Sequence, residues 1–116
     1  MKRPKYGNKR VTVDGITFDS IAESRRWCEL KLLEKAGEIQ HLERQVPIIL
    51  HGAHGPLLSR KTKRPRKMVI DFRYMTKQRL VYEDTKGMMT PEWSLKADIL
   101  MNMSPNTELR ISGRKS

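Results

Sequence analysis

The sequence predicts a mixed α/β domain of the α+β type, built around a single sheet. Three observations predict it. Short runs rich in Val, Ile, Thr and Tyr read as strands, two amphipathic stretches carry helix start and stop signals, and the elements run hairpin, helix, strand, long loop, two strands, helix, strand. A chain of 116 residues fits one domain with one core. The expected organisation is a flexible basic arm over 1–10, a single folded domain over 11–112 with a basic loop insertion at 51–67, and a basic tail over 113–116.

The arm, MKRPKYGNKR, holds Lys2, Arg3, Lys5, Lys9 and Arg10 and no acid, a composition suited to phosphate contacts. "VTVDGITFD" then reads as two short strands joined by Asp14-Gly15, a strong turn pair. From Ser20 to Ala36 the spacing predicts a helix that stops at Gly37. Its apolar stripe is Ile21, Cys28 and Leu32, with Leu33 beside it. A second stripe of Glu23, Trp27, Leu30 and Glu34 puts acids on one face with two apolar residues, so that face is expected to be partly covered. Cys28, the one cysteine, excludes an internal disulfide and is expected as a small buried hydrophobe.

"EIQHLERQVPIIL" predicts an extended segment in which Pro47 favours an edge position or a bulge. "HGAHGPLLSRKTKRPRK" is expected as a long loop. Between Glu43 and Asp71 there is no acid, whereas Arg60, Lys61, Lys63, Arg64, Arg66 and Lys67 make six of eight consecutive residues basic. "MVIDFRYM" and "LVYEDTKG" are strand-like runs separated by the hairpin-sized "TKQR". Thr90-Pro91 starts a second helix through Trp93, Leu95, Ile99 and Leu100, and "TELRIS" reads as a closing strand.

The charge balance points to a partner. Against 13 Asp and Glu stand 24 Lys and Arg, a formal charge of +11, which favours a polyanion and above all nucleic acid. No signal peptide, lipidation box or apolar run of about 18 residues accompanies it, so a membrane is not expected and a cytoplasmic location is.

The chemistry concentrates in the two central runs. With Lys77 and Gln78 at the tip of a tight hairpin, position 71 falls opposite position 84. Opposed side chains have Cβ atoms about 4.5 to 5.5 Å apart, and like charges there repel. A divalent cation, Mg²⁺ or Mn²⁺, held between Asp71 and Asp84 would offset the repulsion. Alternation also places Asp84 and Lys86 on one face and Glu83 on the other. Glu29-Leu30-Lys31 repeats the D-x-K pattern, but on a helix residues two apart share no face. The plain alternative is a surface hairpin whose acids pair with Arg73 or Lys86. Against it, Met68, Ile70, Phe72, Tyr74, Leu80, Val81 and Tyr82 make both strands apolar enough to be central.

With Asp71 and Asp84-Thr85-Lys86 in place, the chain resembles the PD-(D/E)xK nuclease superfamily, and within it small phage and prophage proteins related to Holliday-junction resolvases. The resemblance runs through "KYGNKRVTVDGITFDSIAESRRWCELKLLEKAGEI", "LERQVPI", "VIDFRY" and "LVYEDTKGMMTPEWSLK". It implies a restriction-endonuclease-like core, α-β-β-β-α-β, with a mixed central sheet flanked by helices. It also implies a metal-dependent endodeoxyribonuclease that hydrolyses phosphodiester bonds in phage DNA recombination, repair or processing, inside the bacterial host. Glu23 is the implied helix acid, although Ser20-Ile21-Ala22-Glu23 is equally a capping box. Gln45 matches a recurring glutamine, and Ile70 stands where a proline would precede Asp71.

The expected site is therefore Glu23, Asp71, Asp84 and Lys86, with the Thr85 carbonyl as a further metal ligand and Gln45, Arg73 and Lys96 as accessory residues. Cutting both strands calls for two sites, hence a homodimer. A non-catalytic DNA-binding or recombination accessory protein on the same fold is the alternative. An RNA-binding module lacks its aromatic strand or GXXG loop, and a site on His41, His51 and His54 lacks a carboxylate near its histidine pair.

Overall fold

Asp14 and Gly15 both take positive φ, 51° and 81°, the left-handed pair that closes a two-residue hairpin. They join β1 (Val11–Val13) to β2 (Ile16–Phe18). The computed structural model describes residues 10–85 and 89–112.

Helix α1 (Ile21–Lys35) begins where expected, because the Ser20 hydroxyl accepts the Glu23 N–H at 3.1 Å. It ends ahead of Gly37, which takes φ 83°. Helix α2 (Pro91–Met103) follows the same logic, with Thr90 Oγ1 accepting the Trp93 N–H at 3.1 Å and proline in the first turn.

The central sheet has four strands in the order β3-β6-β7-β8: β3 (Gln40–Ile49), β6 (Lys67–Met75), β7 (Leu80–Thr85) and β8 (Glu108–Ser112). Only the β7–β8 pair is parallel, and α2 makes its crossover, so the sheet is mixed. Pro47 sits in β3 at the sheet edge, where a missing N–H does no harm. The chain is thus an α+β domain with a mixed four-stranded sheet and two helices, running α-β-β-β-α-β once the small hairpins are set aside. Among the described residues no helix is long and apolar enough to cross a membrane.

Neighbouring residues of β7 feed two different cores. Val81 packs with Leu30, Ile39, Phe72 and Tyr74 beneath α1, whereas Tyr82 packs with Leu50, Met68, Ile70, Ala97 and Leu100 beneath α2. Since side chains alternate along a strand, the helices cover opposite faces. On β6, residues 68 and 70 serve the α2 core and residues 72 and 74 the α1 core. A regular strand would keep all four on one face, so the alternation breaks between Ile70 and Phe72.

Two sequence expectations need correction. The α1 stripe of Ile21, Leu32 and Leu33 is exposed, at 44%, 68% and 37%, and Cys28 is exposed with it. The covered stripe is the acid-bearing one: Glu23 and Leu30 are buried and Trp27 packs against Phe72. Hydrophobicity alone misranks the two stripes because Trp27 and Leu30 bury more surface than Ile21 and Cys28, and the buried acid finds donors elsewhere in the chain.

Nor is the segment over 51–67 a plain loop. It holds a small hairpin, β4 (His51–Gly52) with β5 (Gly55–Pro56), and then a second one. Arg66 N–H donates to Leu57, Leu58 bridges Pro65, and Ser59 N–H donates to Arg64. Arg60, Lys61, Lys63, Arg64, Arg66 and Lys67 are all exposed along it.

Candidate active site

The β6–β7 ladder runs Met75↔Leu80, Tyr74↔Val81, Arg73↔Tyr82 and Phe72↔Glu83. The next step brings Asp71 opposite Asp84, the register expected from the four-residue turn. There the ladder gives way to side chains. Asp84 Oδ1 accepts the Asp71 backbone N–H at 2.8 Å, and Asp71 Oδ2 accepts the Thr85 N–H at 2.9 Å and its hydroxyl at 2.8 Å. Each carboxylate is turned onto the backbone of the opposite strand. Repulsion between the two acids is therefore offset in part by N–H and O–H donors, besides the cation expected there.

Each acid is held by a further element. Trp93 of α2 donates its indole N–H to Asp84 Oδ2 at 2.9 Å. Gln45 of β3 donates through one amide nitrogen to Asp71 Oδ1 at 3.3 Å and to Glu23 Oε2 at 2.8 Å. Glu23 comes from α1, on the face opposite the one that Asp84 and Trp93 share. The site forms at the C-terminal end of β7, against the middle of β6.

Glu23 is 4% exposed. Burial pushes its carboxyl above the ordinary value, and the Asp71 charge pushes it further; Gln45 and Arg44 counter only part of this. Arg44 Nη2 stands 3.8 Å from Glu23 Oε2 while its guanidinium lies over the Phe18 ring at 4.8 Å. Ser20 caps the helix on the backbone N–H of Glu23, and the Glu23 carboxylate, which a full capping box would turn back onto Ser20, is turned to Gln45 instead.

Glu83 lies on the α1 face and has a structural part. Arg26 grips it with a two-pronged contact, 2.5 and 3.1 Å, and the Tyr74 hydroxyl donates to it at 2.6 Å. Burial alone would raise the Glu83 carboxyl, but these donors outweigh it and the net shift is downward. The Tyr74 hydroxyl is pushed up to about 12 by burial and by that carboxylate.

Of the expected site residues, Glu23, Asp71, Asp84 and Gln45 come together. Thr85 joins them through its N–H and hydroxyl. Arg73 spends its guanidinium on Glu43, at 2.7 and 3.1 Å, and Lys96 reaches Glu92 at 3.5 Å, so neither accessory residue is bonded to the acids. Lys86 lies outside the described residues, as do Lys2, Arg3, Lys5 and Lys9 of the arm; Arg10 is exposed. Among the described residues, no three His, Cys, Asp or Glu side chains converge closely enough to hold a metal ion as they are now turned. Trp93 is the residue that sequence reasoning missed, counted only as helix core. Its helical spacing carries no trace of a partner nine positions earlier.

The cationic hairpin shares this end of the sheet. It leads into Lys67 at the start of β6, four residues before Asp71, about 13 Å along a strand. No curated protein and no solved structure matches the chain. A family model described as "Protein of unknown function (DUF1064)" matches residues 3–115, nearly the whole length, and the chain belongs to that family.

Proposed function

We propose that this protein is a divalent-metal-dependent endonuclease acting on DNA, duplex or branched, and working as a homodimer. One observation carries the reading: acids from α1, β6 and β7 gather at one end of the sheet, beside a hairpin bearing six exposed cations. Buried acids cost stability even when hydrogen-bonded, so a cluster of them points to a functional site, and a chain of +11 has cations to spare for phosphates.

The donor set fits a hard cation, Mg²⁺ or Mn²⁺. Glu23, Asp71 and Asp84 offer only oxygen, and the Glu23 carboxyl is pushed up first by burial and then by the Asp71 charge. These three side chains would hold the ion, with the Thr85 carbonyl as a further oxygen. Bound there, a divalent cation polarises the scissile phosphate and acidifies a water.

The protein's own groups do the rest. Thr85 fixes one oxygen of Asp71, and Gln45 holds the other. The Asp71 N–H and Trp93 orient Asp84 from both sides. Lys86 is assigned to the charge that builds on the phosphoryl oxygens. Arg60, Lys61, Lys63, Arg64, Arg66 and Lys67 hold the backbone through contacts that carry no base information.

A second reading, a DNA-binding accessory protein without catalysis, draws on the fact that Asp84 already accepts a donor on each oxygen. Cleavage of labelled junction, flap and linear DNAs, with Mg²⁺ and with Mn²⁺, separates the two. Metal-dependent products that vanish in Asp84→Asn support the nuclease. Intact substrates with every DNA, and unchanged binding by Asp84→Asn, would leave only the accessory role.

A further inference from the structure

Gln45 stands inside β3 with φ 52°, a left-handed conformation that a residue with a side chain enters at a cost. The ladder has no need of it. On either side Arg44↔Phe72 and Val46↔Ile70 hold the same register with β6, so the twist neither adds nor removes a residue there. What it delivers is the side chain, which faces Asp71 across the ladder and reaches Glu23 on α1.

The chemistry of that side chain fits the place. A primary amide carries two N–H donors on one nitrogen, and both are spent on anions: Glu23 Oε2 at 2.8 Å and Asp71 Oδ1 at 3.3 Å. The acids come from different elements, and Glu23 is almost fully buried. Arg44 approaches Glu23 at 3.8 Å but lays its guanidinium over Phe18. The neutral amide is what spans the gap between the two carboxylates.

We infer that Gln45 is a positioning residue whose amide takes a cation's place between Glu23 and Asp71, keeping the two carboxylates drawn together while no metal is bound. The inference deepens the metal-dependent reading and rests on it. It explains why a strand would hold a strained, non-glycine residue at this one register position: glycine would relieve the backbone and lose the bridge.

Thermal melting of wild type, Gln45→Gly, Gln45→Ala and Gln45→Glu, each in EDTA and in Mn²⁺, tests it. In EDTA, Gln45→Ala is expected to melt lower than wild type by about 4 °C or more, the shift that one lost charge-assisted bond gives in a domain of this size. Gln45→Glu should fall furthest, because a donor becomes a third acid, and Gln45→Gly least, because its backbone is relieved. Mn²⁺ should then raise Gln45→Glu more than wild type, a rescue that a merely structural bridge does not give.

Gln45→Ala and Gln45→Glu melting with wild type in EDTA would overturn the inference. So would a Gln45→Glu protein that gains no more from Mn²⁺ than wild type does. If Mn²⁺ and Mg²⁺ leave wild type unmoved while the variants keep their order in EDTA, the metal-dependent reading is what has failed, and Gln45 is a structural bridge alone.

Discussion

Burial and the neighbouring Asp71 both oppose a charge on Glu23, so removing that charge should cost the fold little. Glu23→Gln keeps the shape and leaves the Ser20 cap untouched, because that cap uses the backbone N–H. The expected outcome is a melting point in EDTA equal to or above that of wild type, with DNA cleavage down by at least about a hundredfold. A variant that cleaves at the wild-type rate would leave Glu23 with the cap and nothing more. At this scale the sequence was half legible. Asp71 and Asp84 follow from counting across a four-residue turn, whereas Glu23 and Gln45 were reached only through the family resemblance. The left-handed angle of Gln45 and the indole bond of Trp93 were not legible, because neither a backbone angle in mid-strand nor a bond between a strand and the next helix leaves a periodic trace.

Between elements, the strongest tie is the one from α1 to β7, made by Arg26 and Glu83. Glu83 is 0% exposed, so stranding its charge is expensive. Arg26→Ala is expected to destabilise the protein by about 3–5 kcal/mol in urea unfolding. Arg26→Leu combined with Glu83→Leu should recover most of that, since no uncompensated charge remains. A single variant as stable as wild type would remove this pair from the account of how α1 is held. The pH dependence follows from the same carboxyl. Its folded pKa lies below the ordinary 4.5, so it contributes stability above that range and loses it as pH falls through the lowered value. Glu83→Gln, though less stable at neutral pH, should therefore show a shallower loss between about pH 5 and pH 3. The element boundaries were legible in Ser20, Gly37, Asp14-Gly15 and Thr90-Pro91, each a local signal. The buried face of α1 was not, because burying Glu23 depends on Gln45 and Arg44, more than twenty residues away.

At the scale of the whole molecule, charge is distributed unevenly. No acid lies between Glu43 and Asp71, and that stretch forms the hairpin beside the acid cluster. If about six of its cations contact phosphates, the logarithm of DNA affinity should fall against the logarithm of salt with a slope near five. Fluorescence anisotropy across a salt series measures this, and a flat response takes the hairpin out of the interface. The fold class was legible from the order of the elements. The second hairpin was not, because it is closed by three backbone contacts around Leu57, Leu58 and Ser59 within a segment whose composition reads as loop.

That same hairpin makes the chain susceptible to trypsin at a place of its own choosing. Its tip, Arg60 to Lys63, offers exposed scissile bonds between two sides that remain paired to the sheet through β3 and β6. Brief digestion should nick the chain there and leave two fragments that still migrate together until denatured, and bound DNA should slow the cut.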